Sequence, residues 1–345
     1  MRHTDSIPTG SLLAGSLAAC SITAGSITAG SIPARSIPTA SNPTGPAAAA
    51  TESPRAARRI LPRLAAWVAA AGLLFGSGAA AAQIPLPVTV AATGNHAEAT
   101  VRLPFLPGWP GPVVGELLLD FEDASGLSPA ALGVSAKTVS LYDPNLIARL
   151  PDTDLTTLPG SLPMLVTVQP PLSGGLKFKG SGRVEIHTHW LPYAAGTRLR
   201  LFKAPLGGAF YDVTDEIAAG SVRARGTYGG FSQFLILADA RPTPLVIASK
   251  LQRLRDRVDL LPAAEQPGFD ALLDDVETAL ALATPDYAAA LAAADAVRTR
   301  AQTRAGTYID NEWRATRTHR NDAGELAAGA ATLRFSVAYL RDYGP

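Results

Sequence analysis

The spacing of apolar residues changes once along this chain, near Pro244, and the change dictates two kinds of packing. From Ile84 to about Ala240 apolar and polar residues alternate. The run VVGELLLDF, Val113 to Phe121, places Val113, Leu117, Leu119 and Phe121 on one face of an extended chain. Runs at 88–92, 99–103, 138–142, 164–168, 175–179, 183–190, 197–203, 222–225 and 231–238 complete a set of short strands. Gly and Pro punctuate them at Pro107-Gly108, Asp143-Pro144-Asn145, Ser173-Gly174-Gly175 and Gly229-Gly230. Many short strands with such turns predict an antiparallel sandwich. Arg198, Arg200, Arg223 and Arg225 are expected on its solvent side.

Beyond Pro244 the period becomes helical. Ile247, Leu251, Leu254, Val258 and Leu261 recur at steps of four and three, with Lys250, Arg253, Arg255, Asp256 and Arg257 on the opposite side. Pro262 ends that helix. Phe269, Leu272, Leu273, Val276 and Leu280 mark a second. Thr284-Pro285 gives an N-cap and a first-turn proline for a third, Ala-rich helix running to about Trp313. Asp322 and Glu325 fit a capping box that opens a fourth, striped by Leu326, Ala330, Leu333, Val337 and Leu340. The fold class is therefore α+β: an antiparallel β-sandwich over 83–242 followed by a three- or four-helix bundle over 243–345.

The first quarter of the chain is of another kind. Residues 55–82 combine Arg55, Arg58, Arg59 and Arg63, an uncharged apolar run from Leu64 to Phe75, and the small residues Ala80-Ala81-Ala82. This is the order of a secretory signal peptide, with cleavage expected near Ala82 and a periplasmic or secreted product. Residues 1–54 hold an array of Ser-led pentapeptides, SIPTG to SNPTG, too short and too poor in large apolar residues to build a core. They are expected to be disordered and to reflect an over-extended gene start. Leu17-Ala18-Ala19-Cys20 matches a lipoprotein-processing box with Cys20 as the lipidated residue. The same residues also fit the repeat, SLAAC being in register with SLLAG.

Composition narrows the partners. Removing the six basic and two acidic residues before Gln83 from totals of 30 and 29 leaves 24 and 27, a net charge of −3. That argues against a nucleic-acid partner, which calls for a basic face. Cys20 is the chain's single cysteine, so residues 83–345 contain no thiolate ligand and no disulfide. No second apolar stretch of spanning length follows Ala82, so no transmembrane anchor is expected in the mature chain.

Chemistry is concentrated in Val184-Glu185-Ile186-His187-Thr188-His189-Trp190. Glu185, His187 and His189 project to one side of a strand, and two imidazoles with a carboxylate are a ligand set for zinc or copper. The same letters also describe the solvent face of a strand whose Val184, Ile186 and Trp190 are buried. Asp120, Glu122 and Asp123, and separately Asp152 and Asp154, are acidic clusters of the type that holds calcium in exported sandwiches. Arg298, Arg300, Arg304, Arg314, Arg317 and Arg320 make a basic stretch suited to anionic lipid or an acidic glycan. No G-x-S-x-G elbow, phosphate-binding glycine loop or HExxH helix is present.

Phe210-Tyr211-Asp212-Val213-Thr214, Gly220-Ser221-Val222 and Gly230-Phe231-Ser232-Gln233-Phe234 resemble the last strands of bacterial envelope sandwich modules. More distantly, residues 210–239 resemble the ZU5-like fold, in which an aromatic-Ser-x-aromatic strand closes the sheet. Some ZU5-like relatives cleave themselves at His-Phe-Ser; here Gly230 stands where that His would assist the Ser, which argues against self-cleavage. The mature chain as a whole resembles uncharacterised exported proteins of proteobacterial type that pair a sandwich with helices, a resemblance that implies no activity. Three functions follow as expectations. The favoured one is an exported non-catalytic envelope protein, a structural or binding module for a protein or glycan. The others are a metal-dependent enzyme or metal-binding protein centred on Glu185, His187 and His189, and a membrane-peripheral protein using the arginines of 298–320.

Overall fold

Strands form where β-branched and apolar residues alternate, and glycines with positive φ close several of the turns between them. A computed structural model describes residues 83–104, 111–140, 142–161, 163–192, 196–218 and 221–345, all within the unit Pro62–Pro345. The pentapeptide array, Cys20, the segment 55–82 and the Pro107-Gly108 turn lie outside the described residues. In chain order the strands are β1 (Pro85–Leu86), β2 (Val88–Thr93), β3 (His96–Arg102), β4 (Val113–Ser125), β5 (Val134–Thr138), β6 (Thr156–Thr157) and β7 (Met164–Val168). They continue with β8 (Lys177–Pro192), β9 (Leu199–Ala204), β10 (Tyr211–Asp212), β11 (Thr214–Ala218), β12 (Ser221–Tyr228), β13 (Gln233–Asp239) and β14 (Glu312–Arg314). The helices are α1 (Pro129–Leu132), α2 (Pro144–Ile147), α3 (Thr243–Val258), α4 (Gln266–Ala281), α5 (Tyr287–Arg304) and α6 (Asp322–Tyr343).

Two antiparallel sheets result. One runs β1-β5-β7-β13-β9-β10, with β6 on β13; the other runs β11-β12-β8-β4-β3-β2, with β14 on β8. Between them Leu117, Leu119, Phe121, Val184 and Ile186 meet Val166, Val168, Leu201, Phe234 and Ile236. Each such side chain contributes about 1.5–3 kcal/mol by leaving water. The first sheet is covered on its second face as well, by Val139, Leu146, Leu158 and Phe210 against Leu165, Phe202, Leu235 and Leu237. Strands buried on both faces read as unbroken apolar runs, which is why MLVTV and FLIL lack polar alternation. The second sheet keeps its outer face polar, and the alternation of β3, β4 and β8 follows from that.

The helices bury the expected stripes. Ile247, Leu251, Leu254 and Val258 of α3 pack with Phe269, Leu273 and Val276 of α4, Val297 of α5, and Leu326, Leu333 and Val337 of α6. Helix α6 lies against β8, β11 and β12, so the bundle closes the side of the sandwich. No helix among the described residues is long and apolar enough to cross a membrane.

Several local expectations are corrected. The runs at 175–179 and 183–190 are one strand, β8: Gly180, in the left-handed region (φ +68°), carries the strand through a register shift against β4, and a Cβ at Gly180 or Gly182 would clash with Glu122 or the Tyr228 ring. The run at 138–142 is displaced: β5 ends at Thr138, and the Asp143-Pro144-Asn145 turn opens α2, with Asp143 accepting from the Asn145 N–H. Helix α5 is capped by Asp286, not Thr284, and ends at Arg304; Trp313 sits on β14, where its ring stacks on Phe178 at 5.4 Å. Asn321 caps α6 by accepting from the Gly324 N–H, which leaves Glu325 for other partners. Arg200 and Lys250, expected in solvent, are buried where the bundle meets the sandwich. Arg200 lies over the Tyr339 ring of α6, and Lys250 pairs with Asp212 at 2.8 Å.

Candidate metal centre

Sheet register brings together residues that are far apart in the chain. Glu116 of β4 is the cross-strand partner of His187 on β8, and Arg223 of β12 faces His187 from the other side. Because Leu117 and Ile186 point into the core, Glu116, His187 and His189 share the outer face. His187 Nδ1 is 2.8 Å from Glu116 Oε2, and His189 Nε2 is 3.7 Å from Glu116 Oε1. The two imidazole rings lie 4.5 Å apart. One ligand atom from each of the three residues falls within 4.8 Å of the other two. Tetrahedral ligands with bonds of about 2.1 Å stand ~3.4 Å apart, so small side-chain rotations bring this set to a metal-binding spacing. His187 is nearly enclosed, with 11% of its side chain exposed, whereas His189 keeps 46% and opens the cluster to water.

Glu185 does not join this group. Its carboxylate accepts from Arg225 Nε and lies 3.6 Å from Arg223 Nε. Arg225 in turn donates to Glu216 at 2.6 Å, and Arg183 reaches the same carboxylate. Hydrogen bonds from Arg225 to Glu185 and Glu216 hold the guanidinium above its ordinary value. Burial alone would raise Glu216, but Arg225 and Arg183 outweigh it and bring the carboxyl below the usual range. A carboxylate already neutralised by two arginines is a poor metal ligand. Glu116 therefore takes the place the sequence reading gave to Glu185. Alternation put Glu116 on a polar face, but only the β4–β8 register could show which histidine it meets.

The other candidates are engaged elsewhere. Asp120 contacts His96 Nδ1 at 2.6 Å, Glu122 accepts from the Ser181 hydroxyl, and Asp123 lies 3.6 Å from Lys179 Nζ. Asp152 caps its own turn by accepting from the N–H groups of Asp154 and Leu155. Among the described residues the acidic clusters form no three-ligand group, and Glu116, His187 and His189 do. Four of the six arginines of 298–320 are ion-paired. Arg300 and Arg304 hold Glu265, Arg314 holds Glu312, and Arg320 lies 3.5 Å from Asp322.

Residues 70–341 match a family of unknown function, DUF6689. No curated protein and no solved structure matches the chain.

Proposed function

The chain belongs to the DUF6689 family, whose description carries no activity, and we propose that it is an exported, non-catalytic envelope protein that binds one divalent transition-metal ion on its sandwich. Glu116, His187 and His189 hold the ion. The observation that carries this reading is the convergence of their three donor atoms within 4.8 Å on a solvent-facing sheet. Two imidazoles and a carboxylate suit zinc or copper and disfavour calcium, which takes oxygen ligands only. The basic, apolar and small-residue order of 55–82 supports export.

The test is metal analysis of the purified protein after equilibration with zinc or copper and dialysis. One ion per chain is expected, lost in His187→Ala and His189→Ala and weakened in Glu116→Gln. Glu185→Gln is expected to keep the ion, because its carboxylate belongs to the arginine network. Metal-free wild-type protein, or loss in Glu185→Gln with retention in Glu116→Gln, refutes the assignment.

A further inference from the structure

Where β9, β10 and β12 meet α3 and α6, the packing leaves a cavity of about 190 Å3. Its inner wall is charged and paired. Lys203 Nζ lies 3.2 Å from Glu325 Oε1, and Lys250 lies 2.8 Å from Asp212 while donating to the Thr332 carbonyl. Arg257 reaches Asp322 at 3.2 Å and Glu325 at 4.0 Å. One lining cation is left over. Arg253, exposed at the rim, rests its guanidinium on the Tyr211 ring at 3.2 Å and makes no ion pair or hydrogen bond among the described residues. Asp256, the remaining lining carboxylate, accepts from Gln252 on the outer side of α3. Tyr211, Val213, Leu254 and Ala328 supply apolar wall.

This is the build of a small-molecule cleft: a concave space open on one side, apolar wall, and a free polar group at the mouth that fixes orientation. The charge balance selects the ligand. A cation would find Asp212 and Glu325 already paired with lysines and the unpaired Arg253 beside it. A monoanion meets a guanidinium whose hydrogen-bond donors are uncommitted. Size sets the rest, since a cavity of ~150 Å3 takes a molecule as large as benzene.

We propose that this cavity binds a small organic monocarboxylate with a ring or branched aliphatic body. The carboxylate bridges to Arg253, and the body lies against Tyr211, Val213 and Leu254. The site is separate from the metal cluster on the sheet face and does not depend on it.

Titration calorimetry with benzoate as probe tests the proposal, with benzyl alcohol as the uncharged counterpart. Benzoate is expected to bind and benzyl alcohol to bind at least about tenfold more weakly, the size of a lost charge-assisted hydrogen bond. Arg253→Gln, an exposed position whose change leaves the core untouched, is expected to weaken benzoate by a similar factor, with Arg253→Lys recovering part of it. His187→Ala is expected to bind benzoate as wild type does, which separates this site from the metal reading. Equal binding of the two probes, unchanged affinity in Arg253→Gln, or no benzoate binding at millimolar concentration overturns it.

Discussion

The Lys203–Glu325 pair joins sandwich and bundle, and removing one of its side chains should be felt in the stability of both. We expect Glu325→Gln to cost about 3 kcal/mol of stability. At 3.2 Å the pair is worth roughly 5 kcal/mol at an effective dielectric of about 20, before desolvation is charged against it. Breaking such a pair leaves Lys203, whose side chain is 4% exposed, as a buried charge without its main partner, and such losses run to about 3–5 kcal/mol. Glu325 keeps 19% of its side chain exposed toward the cavity, which favours the lower end of that range. In urea, with m of about 2–3 kcal/mol/M, the midpoint should fall by roughly 1–2 M. The double variant Lys203→Met, Glu325→Leu should recover most of the loss, because no unpaired charge is then left at the seam. The pH dependence has a defined sign. Burial opposes Glu325 ionisation, but Lys203 and Arg257 outweigh it and hold the carboxyl below its ordinary range. Burial would lower Lys203, but Glu325 and Tyr211 outweigh it and hold the ammonium above its ordinary value. The stabilisation is therefore complete between about pH 5 and pH 10. It is lost as the pH falls through the lowered carboxyl value, or rises through the raised lysine value. A cost under about 1 kcal/mol in Glu325→Gln, as for an exposed pair, refutes the reasoning. So does a double variant as unstable as the single one.

Two further outcomes are expected. The Tyr228 hydroxyl is buried and has no partner among the described residues, so Tyr228→Phe should leave stability unchanged or raise it by about 1 kcal/mol, read from thermal or urea unfolding; a loss of that size would show that the hydroxyl is bonded after all. Amino-terminal sequencing of protein recovered outside the inner membrane should begin at Gln83, and a product still carrying the Ser-led pentapeptides would exclude the proposed export signal.

What could be read from the chain alone follows a physical boundary. A stripe such as Ile247, Leu251, Leu254 and Val258 is a local pattern, and local geometry alone puts it on one face. The two-period pattern likewise carried the α+β arrangement of sandwich and helices. Lys250 and Arg200 were misplaced because a charge is buried only when a remote partner compensates it, and Asp212 and Tyr339 lie far off in sequence. Glu185 stands outside the histidine cluster for the same reason. His187 is two residues away on the same face, but the carboxylate turns to Arg225, its cross-strand partner, and to Arg223 beside it. Trp313 looked helical because it follows an Ala-rich helix, and its place on β14 depends on Phe178, a residue from the other half of the chain.

The pairing of β14 with β8 has a consequence for the order of assembly. Gly180 donates its N–H to Asn311, 131 residues later in the chain. As the polypeptide emerges from synthesis, the rim at 177–179 waits open until nearly all of it is available. Contacts of such long sequence separation form late and slowly. An open rim invites pairing with a foreign strand, and charged side chains, lysine above all, discourage it. Lys177 and Lys179 occupy that stretch: Lys177, which later meets Glu312, and Lys179, beside Asp123 of the earlier strand β4, guard the vacancy while it lasts.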